Sequence, residues 1–318
     1  MKIEAKEILN SQKIPTIRVE LMTNRGKFFA SVPSGVSRGQ YEAAELSPKI
    51  AIRNVNDIIA PRLMGKDVTQ QKEIDKFLIK LDGTKNKSRL GANAILAVSM
   101  AICRAGAAAK NLPLYQYISE IAIGDTYGNL PKPSFNLIEG GKHGEAGLAF
   151  QEFMLVPQKE KFGENLKIGK IIYQKLKNNL EKKFGKKNVK LSVEGAFAPP
   201  IKKISETLDF ILETAKEAGE KMNVKIALDA AASEFQENNY YKVDGNILSK
   251  EELLAFYKKF VEKYPIILIE DPFFEEDFVG FAELKQDFGK KIFIFGDDLT
   301  ASNTERIEQA RKNKSISG

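Results

Sequence analysis

The sequence predicts an α/β protein in two parts, a small α+β domain over residues 1–125 and a barrel-type array of strands and helices over 126–318. Three observations predict it. The stretch "GDTYGNLPKPS", residues 124–134, gathers two glycines and two prolines and separates two rhythms of secondary structure. Beyond it, short apolar runs alternate with helical patterns, which argues for parallel strands covered by helices. No Gly-x-Gly-x-x-Gly follows the first strand, so a (β/α)8 barrel is favoured over an open doubly wound sheet.

In order, "KIEAKEIL", "TIRVELMT" and "KFFASVP" read as a strand meander, with turns at "NSQKIP" and "TNRG". "SGVSRGQYEA" is a loop with too few apolar residues to pack. Helices are expected over "IAIRNVNDIIAPRLMG", over "DVTQQKEIDKFLIKLDG" with Asp67 as its cap, and over the Ala-rich "GANAILAVSMAICRAGAAAKN", which is apolar all round and therefore buried. The second part offers five strands, "FMLVP", "VKLSVEG", "KIALDAA", "PIILIEDP" and "IFIFGDD". Helical patterns such as "SETLDFILETAKEAGEKM" and "KEELLAFYKKFVEKY" lie between them.

Composition narrows the function classes. Net charge is +7, from 49 Lys+Arg against 42 Asp+Glu, and the lysines concentrate in "KIGKIIYQKLKNNLEKKFGKKNVK" at the spacing of a solvated helix face. No basic stretch is interleaved with stacking aromatics and Trp is absent, so nucleic acid is not an expected partner. No apolar run suggests a membrane partner and the start lacks an apolar leader. One cysteine, Cys103, fits a reducing compartment, so a cytoplasmic location is expected.

Chemistry gathers at the C-terminal ends of barrel strands, and here those ends are acidic. "KIALD" closes at Asp229, "IILIED" at Glu270 and Asp271, "IFIFGDD" at Asp297 and Asp298; "KLSVE" closes at Glu194, and Glu152 heads "EFMLVP" beside Gln151. Taken singly, each reads as a helix cap or a turn. Together, Asp229, Glu270 and Asp297 would repel one another across neighbouring strands, and a cation relieves that repulsion. A donor set of oxygens alone selects Mg2+ or Mn2+. Glu152 and Glu194 are then free for acid–base work. The single histidine, His143, sits in "EGGKHGEAG"; it fits substrate contact about as well as a structural role and cannot build a zinc site alone.

"SVPSGVSRGQYEAAEL", "LDGTKNKSRLGANAILAVSMA", "QEFMLVP", "EGAFAPP", "LDAAASEF", "IEDPF" and "GDDLTASN", in this order along the chain, resemble the enolase family. The resemblance implies an N-terminal α+β capping domain followed by an enolase-type (β/α)8 barrel, and reversible dehydration of 2-phosphoglycerate to phosphoenolpyruvate in glycolysis and gluconeogenesis. It implies magnesium held by Asp229, Glu270 and Asp297, with Ser37 reaching a second ion as a loop closes. Glu194 would be the general acid supported by Glu152, and His143, Gln151 and Glu152 would contact substrate. Asp271 and Asp298 would be supporting acids. A homodimer through the capping domain is implied as well.

Departures accompany the likeness. Gln12, Lys13 and Ile14 stand where the family shows Arg-Gly-Asn, Val193 and Ala196 where it shows Asp and Gly, Arg38 for Thr and Lys142 for Ser. The family's lysine base, on the strand after Asp297, and its phosphate-gripping Arg–Ser pair have no counterpart here. About 190 residues follow the boundary, against roughly 250 for a complete barrel. The expectation is a divergent, C-terminally shortened enolase whose 318-residue chain does not turn over by itself. A gene fragment, a deliberately shortened chain or a degenerate paralogue would explain it. The alternative function is a non-catalytic enolase-like protein with a binding or assembly role; a different magnesium-dependent superfamily enzyme is disfavoured by "LGANAILAVSMA".

Overall fold

In the computed structural model, which describes residues 1–33, 39–124, 130–141, 147–192 and 194–318, the chain divides into Met1–Asn129 and Leu130–Gly318. In the first unit, β1 (Lys2–Leu9), β2 (Pro15–Thr23) and β3 (Gly26–Ser31) form an antiparallel meander. Its alternating pattern buries Ile3, Ala5, Ile17, Val19, Leu21 and Ala30 on one face. Helices cover that face: α1 (Pro48–Arg53) and α2 (Ala60–Leu63) joined by a π-helical turn, then α3 (Gln71–Asp82), α4 (Ala92–Ala109) and α5 (Leu114–Ile123). The π turn places Asn56 on the edge strand, where it accepts from the Ala5 N–H at 2.7 Å and donates to the Ala5 carbonyl at 3.1 Å.

Two expectations change here. Asp67 does not cap α3, which begins at Gln71 without a side-chain cap; Asp67 instead closes a turn by accepting from Thr69 at 2.9 Å. And α4 is long and apolar enough by composition to cross a bilayer. Its packing against β2, β3 and α3 accounts for that apolarity as a core helix.

Asp82 ends α3 almost wholly buried, accepting from the Thr84 N–H at 2.9 Å and the Leu90 N–H at 2.6 Å. Burial works to raise its carboxyl, but the hydrogen bonds from Thr84 and Leu90 outweigh it and hold the group below its ordinary value. Asp82→Ala is therefore expected to destabilise the chain by about 2–4 kcal/mol at neutral pH, read by urea denaturation. This contribution exists above the unfolded carboxylate range and fades as the pH falls through the lowered folded value. The gap between wild type and variant should shrink in acid.

In the second unit seven strands build one sheet: β4 (Phe135–Glu139), β5 (Glu152–Pro157), β6 (Lys190–Leu191), β7 (Phe197–Ala198), β8 (Val224–Asp229), β12 (Ile266–Glu270) and β13 (Phe293–Phe295). Between β8 and β12 a separate small sheet holds β9 (Gln236–Glu237), β10 (Tyr240–Val243) and β11 (Asn246–Leu248). The order in the main sheet is β13-β12-β8-β5-β4-β7-β6. Helices α6 (Phe162–Phe184), α7 (Ile204–Glu217), α8 (Lys250–Lys263) and α9 (Phe278–Phe288) alternate with the strands, and α10 (Asp297–Thr300) and α11 (Thr304–Lys312) follow β13. This is the expected α/β alternation.

The sheet is mixed rather than wholly parallel. β8, β12 and β13 are parallel, but β5 runs antiparallel to both β4 and β8. The reason is local: the ladder continues past β4 through Gly140, which donates to the Gln151 carbonyl at 2.9 Å, and Gly141, which donates to Leu148. The chain doubles back there instead of crossing over.

The start of α7 depends on a distant residue. Its flanking Lys203 offers no side-chain cap, and the Ile204 N–H donates instead to Asp244 at 3.1 Å, in the turn between β10 and β11.

Candidate active site

One edge of the sheet carries a row of acids in register. Glu139 faces Glu152, Glu152 faces Asp229, and Asp229 faces Glu270, on the four adjacent strands β4, β5, β8 and β12. Neighbouring strands lie about 4.8 Å apart. Because β5 is antiparallel, its first residue shares an edge with the last residues of its neighbours, which is why Glu152 joins the row from a strand's beginning. Asp297 lies just past β13, exposed, as the first residue of α10.

Asp229 is fixed by its neighbours just before β5 and in the turn after β8. Asp229 is 8% exposed, accepting from the Gln151 amide at 2.9 Å and the Ala231 N–H at 2.9 Å. Gln151, expected to contact substrate, thus holds Asp229 in this structure. Glu194 is exposed and sits in a turn between β6 and β7. The expected strand "VKLSVEG" shrinks to Lys190–Leu191: just past Leu191 the chain turns, the Ser192 N–H donating to the Ala196 carbonyl at 2.9 Å and the Gly195 N–H to the Ser192 carbonyl at 3.2 Å, while on its other side the register would bring Pro199 opposite Val189.

Charge crowding dominates the chemistry. Burial first, then the charges of Glu194 and Glu139, push Glu152 up to about 8, and a hydrogen bond with Glu194 adds to it. Burial, then Asp297 and Asp298, push Glu270 up to about 7. Burial, Glu270, Asp271 and Glu152 raise Asp229 well above the carboxylate range. The carboxylate oxygens of Glu139, Glu152 and Glu194 converge within 4.8 Å of one another. Among the described residues this trio is the group of acids close enough to hold a metal ion, and a proton held between Glu152 and Glu194 would relieve it equally; Asp229 and Glu270, facing each other across β8 and β12, crowd like charge that a cation would also relieve. An oxygen-only set of mutually repelling carboxylates, buried at Asp229 and Glu139, fits a hard metal ion.

The sequence reading placed Ser37 and His143 in this site, but both lie outside the described residues. It missed Glu139 and Asn136. Asn136 donates to Glu139 at 2.8 Å and more weakly to Glu194 at 3.5 Å. The available signal was "FNLIEGG", an apolar run closing on an acid before two glycines.

Family models for the enolase N-terminal domain and the enolase C-terminal TIM barrel domain match residues 1–118 and 128–317. An enolase of Methanocaldococcus jannaschii is 46% identical over 324 residues, covering 98% of this chain and 75% of that protein. The enolase of Methanosarcina acetivorans is 44% identical, covering 97% of this chain and 74% of its own length. That of Eimeria tenella is 43% identical, covering 99% and 77%.

Proposed function

Because the chain belongs to the enolase family of lyases, the phosphopyruvate hydratases, we propose that its acidic row serves the reversible dehydration of 2-phosphoglycerate to phosphoenolpyruvate. The observation that carries this reading is the in-register row Glu139, Glu152, Asp229 and Glu270.

Asp229, Glu270 and Asp297 would hold Mg2+, and Ser37 would reach a second ion. The ion supplies positive charge that stabilises negative charge building on the substrate carboxylate. The protein's own groups do the rest. Gln151 fixes the Asp229 carboxylate through its amide. Glu152, with its carboxyl held up to about 8, keeps a proton at neutral pH and shares it with Glu194. Glu194, exposed at the edge of the row, then delivers a proton to the departing hydroxyl. His143 and Gln151 would contact substrate. The family resemblance supports a homodimer acting on a small molecule, without nucleic acid or membrane partners, and the single cysteine supports a cytoplasmic site.

Removing the proton next to the substrate carboxylate requires a base. The charges acting most strongly on Glu152, Asp229 and Glu270 are all those of other acids. We therefore expect the purified 318-residue chain to bind 2-phosphoglycerate only when Mg2+ is present, and to form no phosphoenolpyruvate. Calorimetry reads the first and ultraviolet absorbance the second. Absent binding would remove the dehydratase reading in favour of a binding or assembly role, which the altered surroundings of Glu194 favour. Measurable phosphoenolpyruvate would overturn the inactivity.

A further inference from the structure

The loops that follow β12 and β13 are tied together next to the row. Asp271, next to Glu270, is 3% exposed and adopts φ 41°, a left-handed conformation that a non-glycine residue rarely holds. Its carboxylate accepts from three successive backbone N–H groups, those of Asp297 at 3.0 Å, Asp298 at 2.9 Å and Leu299 at 3.2 Å. Its own N–H donates to the Phe295 carbonyl at 3.1 Å, and its carbonyl accepts from Ala232 at 3.0 Å. One residue thus links the ends of β8, β12 and β13.

Arg306 closes the same turn from the other side. It comes from α11, is 7% exposed, and lies with its guanidinium over the Phe278 ring. Its Nε donates to the Leu299 carbonyl at 2.6 Å and its Nη2 to the Glu275 carbonyl at 2.6 Å; Nη1 pairs with Glu276 at 3.1 Å. Leu299 therefore gives its backbone N–H to Asp271 and offers its carbonyl to Arg306. The four residues of α10 are too few to hold themselves. Their place is set by these two side chains.

We propose that Asp271 and Arg306 are positioning residues for the cation site: between them they fix the turn Asp297–Thr300 so that the Asp297 carboxylate stands beside Glu270. This rests on the reading that Asp229, Glu270 and Asp297 hold the ion. Neither side chain needs to touch the ion, because a rigid fork to two carbonyls transmits position, which a lysine's single ammonium does not.

The test is Mn2+ binding to the full chain, read by electron paramagnetic resonance of the free ion alongside the thermal midpoint of each variant. Wild type should bind Mn2+ and Asp297→Asn should weaken it; if either fails, the reading of the ligands falls first. Given that binding, Arg306→Lys and Asp271→Asn should each weaken it about 10–100-fold, the usual effect of losing a partner that orients a ligand. Glu276→Gln, which leaves both carbonyl bonds of Arg306 in place, should bind as wild type. Folded Arg306→Lys with a lower thermal midpoint but wild-type affinity would make the residue merely structural and overturn the proposal. Should Arg306→Lys not fold, Asp271→Asn decides by the same criterion.

Discussion

Replacing Glu270 by Gln is expected to make the cation-free chain more stable while lowering its affinity for Mg2+ by roughly a hundredfold or more, beyond the ~10–100-fold typical of orienting partners. The two effects come from one charge. Glu270 is pushed up to about 7 by burial and by Asp297 and Asp298, so above that pH its ionised form strains the fold. A neutral amide of the same shape removes the repulsion. Each raised pKa unit is worth about 1.4 kcal/mol, so a gain of about 1–3 kcal/mol at pH 8 is expected. The same substitution deletes one of three anionic ligands. Thermal scans in chelator and calorimetric Mg2+ titration read the two sides; an unchanged Mg2+ affinity would place the ion elsewhere.

A second large effect is expected in the pH dependence of stability. Glu152, Asp229 and Glu270 hold their protons more tightly folded than unfolded. Their contribution is fully present below the unfolded range near 4.5 and is lost as the pH rises through about 7 for Glu270 and about 8 for Glu152. The cation-free chain should therefore lose several kcal/mol between about pH 5 and pH 8.5, at about 1.4 kcal/mol per unit shifted. Saturating Mg2+ should flatten the slope, because the ion replaces the protons as counter-charge. Denaturation midpoints across that range, with chelator and with Mg2+, check it; parallel curves would mean that the ion does not bind these acids.

Much of this site could be read from residues alone, because acids closing apolar runs leave a mark that needs no tertiary knowledge. Asp229 and Glu270 stand out in that way, and the structure places both in the row. Glu139 does not, since Phe135–Glu139 is a short run followed by a glycine-rich loop and shows little alternation. Its role appears only through register, when Glu139 faces Glu152 across a strand pair. The direction of β5 was hidden for the same reason: pairing partners decide it, and its own sequence does not. The β10–β11 hairpin is legible in the sequence. Asp244-Gly245 between "YYKV" and "NIL" is a strong turn signal, and both residues take positive φ, 51° and 84°. The expected long strand before Glu194 is short because the chain turns back directly after Leu191.

That hairpin turn also completes the start of α7. The helix has no local cap, and its first N–H is satisfied by Asp244, 40 residues further along the chain. A ribosome delivering this polypeptide releases the whole of α7 before the group that completes its first turn has been made. The first N–H of α7 is therefore left to water until the hairpin is made, and gains its protein partner only then.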